Sequence, residues 1–159
     1  MLATPETDPA FRADVLAGLA EPVPPIPARW LYDRRGSELF DAITRLPSYY
    51  PTRTETALLT RIMPEVDALS ADNCAVVELG SGSSTKTPLL LSGIEPEAYV
   101  PVDISGDYLR ESAAEVDARF PSLKVEPVIA DFARPFDLRP SVADMPKLGF
   151  FPGSTIGNF

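Results

Sequence analysis

The stretch Val76-Val77-Glu78-Leu79-Gly80-Ser81-Gly82-Ser83-Ser84-Thr85-Lys86-Thr87 decides how the chain is read. An apolar run breaks into a glycine-rich turn and then into residues that open a helix. Gly80 and Gly82 let the backbone turn tightly and approach a ligand without a Cβ, and the helix start behind them offers N–H groups with no partner inside the helix. The spacing predicts a strand, a turn and a helix around a nucleotide-type cofactor site.

Two patterns fit the turn. Gly80, four residues and Thr85-Lys86-Thr87 depart from the phosphate-binding pattern G-x-x-x-x-G-K-[ST] only before the lysine, where β-branched Thr85 stands in place of glycine. The alternative is the E-x-G-x-G turn of a class I, S-adenosylmethionine-dependent methyltransferase, which needs a second acid at the end of the next strand for the ribose hydroxyls. The run Ala98-Tyr99-Val100-Pro101-Val102-Asp103 supplies one, 21 residues after Gly82.

Composition narrows the partners. With 159 residues, 45% hydrophobic and 23% charged, the chain is long enough for a sizeable core and ordinary for a globular protein. A formal net charge of −9 gives no electrostatic footprint for nucleic acid or an anionic membrane, so a small-molecule partner is expected. The single cysteine, Cys74, cannot form an internal disulfide and fits a reducing cytoplasm. A sequence with no histidine and one cysteine predicts no conventional zinc site. No apolar run of about 18 residues and no signal-type N-terminus is present.

Residues 1–70 read as an N-terminal helical, proline-punctuated region, and residues 71–159 as the first part of a cofactor-binding domain. Phe11, Val15, Leu16 and Leu19 share a helix face between Pro9 and Ala20. Pro22-Val23-Pro24-Pro25-Ile26-Pro27 predicts an extended, stiff connector. A second helix from Gly36 carries Leu39, Phe40 and Ile43 inward, and an irregular loop follows from Leu46 to Pro51. Thr52-x-x-Glu55 predicts a capping box for a third helix with Leu58, Leu59, Ile62 and Val66 on its apolar stripe, kinked or broken at Pro64.

An alternating pattern then sets in: strand Ala75–Leu79, helix near Ser84–Leu91, strand Tyr99–Asp103, helix Ser105–Phe120, strand Val125–Ala130, and a fourth strand at Leu148–Phe151. Alternation of this kind predicts an α/β fold with a doubly wound parallel sheet, its ligand lying outside the carboxyl ends of the strands. The order 3-2-1-4 would leave the fourth strand as an apolar edge. That edge predicts a fold truncated after about the fourth strand, or a partner chain that covers it.

The chain resembles the N-terminal half of the L-histidine Nα-methyltransferases. The segments that carry the resemblance are Trp30-Leu31-Tyr32-Asp33-Arg34-Arg35-Gly36-Ser37-Glu38-Leu39-Phe40, Leu46-Pro47-Ser48-Tyr49-Tyr50-Pro51-Thr52-Arg53-Thr54-Glu55, Glu78 to Thr87, Tyr99 to Ser105 and Gly153-Ser154-Thr155-Ile156-Gly157-Asn158. The resemblance implies a Rossmann-like methyltransferase that trimethylates the α-amino group of L-histidine to hercynine, in ergothioneine biosynthesis, with S-adenosyl-L-methionine as donor. It implies that Gly80, Lys86 and Asp103 contact the donor, Asp103 at the ribose, and that Asp131 and Phe132 hold the adenine. Tyr50, or its neighbour Tyr49, and Asn158 would bind the substrate's carboxylate and amino end, and Tyr32 would line the entrance. The residues that recognise the imidazole ring fall beyond Phe159.

Taken singly these residues have plainer readings. Lys86 would be a solvated helix residue, the tyrosines half-buried packing residues, and Asp131 and Asn158 turn formers. No residue is assigned as an acid, base, nucleophile or metal ligand. A neutral amine attacks the sulfonium methyl in line, which asks the site mainly for placement and for uncharged hydrogen-bonding groups such as Tyr and Asn. A methyltransferase of another amino acid, or a non-catalytic donor-binding module, remains compatible with these residues.

Overall fold

The computed structural model describes residues 8–82, 86–153 and 155–158, without the side chains of Thr155 and Asn158. Helix α1 (Pro9–Leu19) is capped by Asp8, whose carboxylate accepts from the Ala10 and Phe11 amides. No helix or strand spans Ala20 to Pro27, and Pro27 has polyproline torsions (φ −54°, ψ 131°). The connector does not run straight away from α1: a Cβ on Gly18 would lie 2.0 Å from the Pro25 carbonyl oxygen, so the chain folds back onto the helix at that glycine.

A 3₁₀ turn (Ala28–Leu31) leads to α2 (Arg34–Thr44) and then α3 (Pro51–Leu69). The expected capping box is absent. The residue before α3 is Tyr50, in a helical conformation with no side-chain cap, and Pro51 begins the helix with its φ already set. Nor does Pro64 end α3, which continues to Leu69. The proline removes one main-chain hydrogen bond, while Met63 and Val66 on either side of it pack against the core and hold the helix through that position.

The sheet runs β1 (Ala75–Leu79), β2 (Ala98–Asp103), β3 (Lys124–Val125), β4 (Val128–Ile129) and β5 (Lys147–Phe150). All pairings are parallel, in the order β3-β2-β1-β5, with β4 also beside β2. Helix α4 (Thr87–Ile94) connects β1 to β2, α5 (Gly106–Arg119) connects β2 to β3, and the short α6 (Pro140–Ala143) precedes β5. The chain is thus an α/β protein with a parallel five-strand sheet of Rossmann-like methyltransferase type.

The expected third strand is split in two, and Pro101 explains why. The Tyr99 and Asp103 carbonyls both accept bonds from the β3–β4 side, from the Glu126 and Ala130 amides at 2.9 and 3.1 Å. Pro101 lies midway between them on the same edge and has no N–H to give. The neighbouring strand leaves the ladder opposite it, at Glu126-Pro127.

Strands β1 and β2 are buried on both faces, as parallel strands under helices must be. Ala75, Val77, Ala98, Val100 and Val102 face one layer, which holds Val142 and is flanked by Phe132, Phe136 and Leu138. Val76 and Tyr99 face the other, with Leu90, Leu91, Val116 and Leu123. Helices α3 and α4 touch closely at Gly93, where a Cβ would fall 2.3 Å from Met63 Cγ. That contact packs α3 along α4, and Glu55, near the start of α3, pairs with Lys86 at the start of α4, beside the carboxyl end of the sheet.

Candidate functional site

The turn after β1 is built by its two glycines. Gly80 (φ +67°) and Gly82 (φ +50°) both take left-handed torsions that a side chain would strain. The Gly80 and Ser81 amides donate to the Val102 carbonyl at 2.8 and 3.3 Å, which fixes the turn to the end of β2. The Gly82 amide donates to Asp103 Oδ2 at 3.1 Å, and the Ser105 amide to Asp103 Oδ1 at 2.9 Å. Asp103 therefore holds two loops together, and each of its oxygens keeps a further lone pair for another donor. Ser83, Ser84 and Thr85 lie outside the described residues; among those described, the following helix begins at Thr87 rather than near Ser84.

A cavity of about 300 Å³ opens at this end of the sheet. Its sheet-side wall contains Glu78, Gly80, Ser81, Gly82, Lys86, Asp103, Asp131 and Phe132. Phe132 packs edge-on against Phe151, with ring centroids 5.4 Å apart. A Cβ on Gly80 would lie 3.4 Å from the Phe132 ring, so the bare glycine leaves a slot beneath that ring. Asp131 Oδ1 accepts from the Ala133 amide at 3.1 Å, and Arg134 stands 3.7 Å from its other oxygen.

The opposite wall comes from the N-terminal region. Tyr32, Phe40 and Tyr49 form an aromatic row with edge-to-face contacts, centroids 6.2 and 6.1 Å apart, and all three line the cavity. Tyr108, on α5, donates its hydroxyl to Asp41 and so joins α2 to α5 along the same rim. The segment Pro27–Arg29 closes one end, where the Arg29 guanidinium binds Asp14 on α1 and the Trp30 indole donates to the same carboxylate at 2.7 Å. The Trp30 hydrogen bond, then Arg29 by hydrogen bond and charge, holds the Asp14 carboxyl below its ordinary range.

Gly80, Lys86, Asp103, Asp131 and Phe132 thus all border one cavity. Tyr49 borders it as well, whereas Tyr50 is 67% exposed and does not line it. The Asn158 side chain lies outside the described residues.

Two further contributors are residues to which the sequence reading gave no place in the site, although Glu78 is the acid of the E-x-G-x-G turn and Glu55 that of the expected capping box. Glu55 lines the cavity and pairs with Lys86, and Glu78 is buried at the turn. Thr87 Oγ1 and the Tyr99 hydroxyl both donate to Glu78 Oε2 at 2.6 Å. Burial pushes the Glu78 carboxyl up to about 7, against the two hydroxyl bonds and the Lys86 charge that favour ionisation. Ser81 is the complementary case: its hydroxyl is buried beside the cavity and has no hydrogen-bond partner among the described residues. A buried hydroxyl with nothing to bind marks a place for a polar ligand atom. Among the described residues there is no cluster of His, Cys, Asp or Glu able to hold a metal ion, and no helix is long and apolar enough to cross a membrane.

Comparison with known proteins agrees with this geometry. The chain is 41% identical to the histidine N-alpha-methyltransferase of Mycolicibacterium smegmatis, over 99% of its own length and 49% of the relative's. It is 39% identical to the histidine N-alpha-methyltransferase of Mycobacterium tuberculosis, over 94% and 47%, and 31% identical to ergothioneine biosynthesis protein 1 of Neurospora crassa, over 84% and 16%. The chain therefore spans about half the length, or less, of these curated relatives. Residues 11–159 match the family described as histidine-specific methyltransferase, SAM-dependent, and the chain belongs to that family.

Proposed function

We propose that the cavity binds S-adenosyl-L-methionine and that the protein methylates the α-amino group of L-histidine, to hercynine, as a cytoplasmic step of ergothioneine biosynthesis. The observation that carries the reading is the meeting, in one wall, of the left-handed glycine turn, Asp103 at the end of β2 and the Asp131-Phe132 pair after β4.

The residues fit the donor. Asp103 has lone pairs left for ribose hydroxyls after its two backbone bonds. Asp131 suits an exocyclic amine and Phe132 the face of a base. The Ser81 hydroxyl and the Lys86 ammonium suit the carboxylate of an amino-acid tail. When bound, the donor supplies a sulfonium methyl, and the carboxylates of the cavity favour that positive charge over the neutral thioether left after transfer.

The chain's own part is placement. The aromatic row would shape the acceptor side, where a tyrosine hydroxyl, with Asn158, binds the acceptor's carboxylate and amine without adding a positive charge near the sulfonium. Tyr50 carries that role by resemblance, Tyr49 by its position in the wall. Residues 1–70 would contribute to the substrate side, together with Asn158, and the rest of residues 71–159 would form the donor side.

Calorimetry tests the proposal. S-adenosylhomocysteine should bind, and L-histidine should bind more tightly in its presence. Failure of the folded protein to bind S-adenosylhomocysteine would refute the reading, and binding of magnesium-ATP in its place would restore the phosphate-loop alternative.

A further inference from the structure

Glu55 stands apart from every role assigned so far. It sits one turn into α3, in the N-terminal region, yet both its oxygens leave that region. Oε1 accepts the Gly153 amide at 2.6 Å, just after β5, and Oε2 pairs with the Lys86 ammonium at the mouth of α4. The three residues come from segments far apart in sequence, and all three line the cavity. The Lys86 and Glu55 side chains are 14% and 26% exposed, so the pair is partly withdrawn from water and holds its geometry better than a surface ion pair.

The turn at Gly153 is shaped to receive this contact. Gly153 has φ +83°, and a Cβ there would stand 3.7 Å from Lys86 Nζ, so the backbone passes directly beside the ammonium. One carboxylate therefore joins the glycine-turn helix to the loop that follows the last strand. It engages one of the three Lys86 donors and leaves two for a ligand anion.

We infer that Glu55 is a positioning residue: it clamps Lys86 and the Gly153 turn in one arrangement, so that the donor side and the loop carrying the acceptor side form together. This inference rests on the donor reading above. It assigns Glu55 no contact with the reacting atoms; its effect passes through Lys86 and the Gly153 amide.

The test compares Glu55→Gln and Glu55→Ala in the intact protein by amide NMR and by calorimetry with S-adenosylhomocysteine. Glutamine keeps an acceptor for Gly153 and loses the negative charge that pairs with Lys86; alanine loses both. The Gly153 amide proton should move upfield in Glu55→Gln and exchange about 10-fold faster in Glu55→Ala, while the Val76 and Val77 amides in β1 stay as they were. S-adenosylhomocysteine should bind about 3-fold more weakly to the Gln variant and about 10-fold more weakly to the Ala variant. Adding Lys86→Ala to Glu55→Ala should cost less than the sum of the single effects. If Glu55→Ala does not fold, the near-isosteric Gln variant carries the test. Unchanged binding in the Gln variant, a Gly153 amide indifferent to Glu55, or strict additivity with Lys86 overturns the clamp and leaves the donor reading standing. Absence of binding by the unsubstituted protein removes the donor reading, and the clamp's role with it.

Discussion

The two walls of the cavity are built in opposite ways. The sheet-side wall is local: Gly80, Ser81, Gly82 and Lys86 follow one another after β1, and their positions come from the torsions of one turn and its bonds to the end of β2. The helical wall is assembled from distance. Tyr32 and Tyr49 meet through the Phe40 ring between them, and Glu55 finds its partners 31 and 98 residues away. The first wall should therefore fail by backbone strain at single positions, the second by loss of contacts between elements.

The sharpest break is Gly80→Val. Valine at φ +67° is strained by its branched Cβ, and its first carbon already meets the Phe132 ring at 3.4 Å. Calorimetry should find S-adenosylhomocysteine binding weakened at least about 100-fold, near 3 kcal/mol, with a loss of stability of about 1–3 kcal/mol on denaturant unfolding. Binding within a few-fold of the parent would show that the slot under Phe132 holds no ligand.

Glu78 tests the same wall through pH. Its folded pKa, about 7, exceeds the ordinary 4.5, so between those values the folded protein retains a proton that the unfolded chain has released. Stability contributed by this group is whole below about pH 4.5, falls as pH rises through the window, and levels off above about 7. The fall should approach about 3 kcal/mol. Glu78→Gln removes it, so the stability difference between variant and parent should grow in the variant's favour from pH 4.5 to 7. Glu126, whose carboxyl is lowered by the Ser141 hydroxyl and then by Lys124 and Arg139, slopes the opposite way, which is why the difference curve is the readout. A flat difference would mean that Glu78 is ionised in the fold.

Asp103→Asn separates the structural and ligand duties of one carboxylate. The amide keeps one oxygen for a backbone donor, so the Gly82 or the Ser105 contact is weakened but the turn should persist. Affinity for S-adenosylhomocysteine should fall about 30-fold, near 2 kcal/mol, with the melting temperature shifted by only a few degrees. An equal loss of folding would assign Asp103 to the loops alone.

The difference between the walls also explains what the sequence discloses. The strand, the turn and the acid at the next strand end are periodic or closely spaced features, and their physics is local, so β1, β2 and the parallel sheet can be read from residues 75–103. Where long-range packing decides, local signals mislead. Thr52-x-x-Glu55 has the form of a capping box, but the Glu55 carboxylate makes a charged pair with Lys86 that no nearby amide can match. Pro64 has the form of a breaker, but α3 is held on both sides of it by the core. The split of the third strand was written in Pro101, one strand away, and could be seen only once the register of β2 was known.

The smallest expected effect probes the boundary of the helical wall, at the adjacent tyrosines. Tyr49 sits in the aromatic row with its ring against Phe40, and Tyr50 precedes the start of α3 with most of its side chain in water. Removing a hydroxyl leaves both rings in place, so the substitution reads hydrogen bonding to the acceptor and little else. With the donor product bound, Tyr49→Phe should weaken L-histidine binding about 5-fold, near 1 kcal/mol, and Tyr50→Phe by less than 2-fold. The reverse order would mean that the exposed Tyr50 side chain swings toward the cavity when the acceptor arrives. It would also move the helical wall from a preformed surface to one completed by its ligand, while leaving the glycine turn opposite as the fixed side of the site.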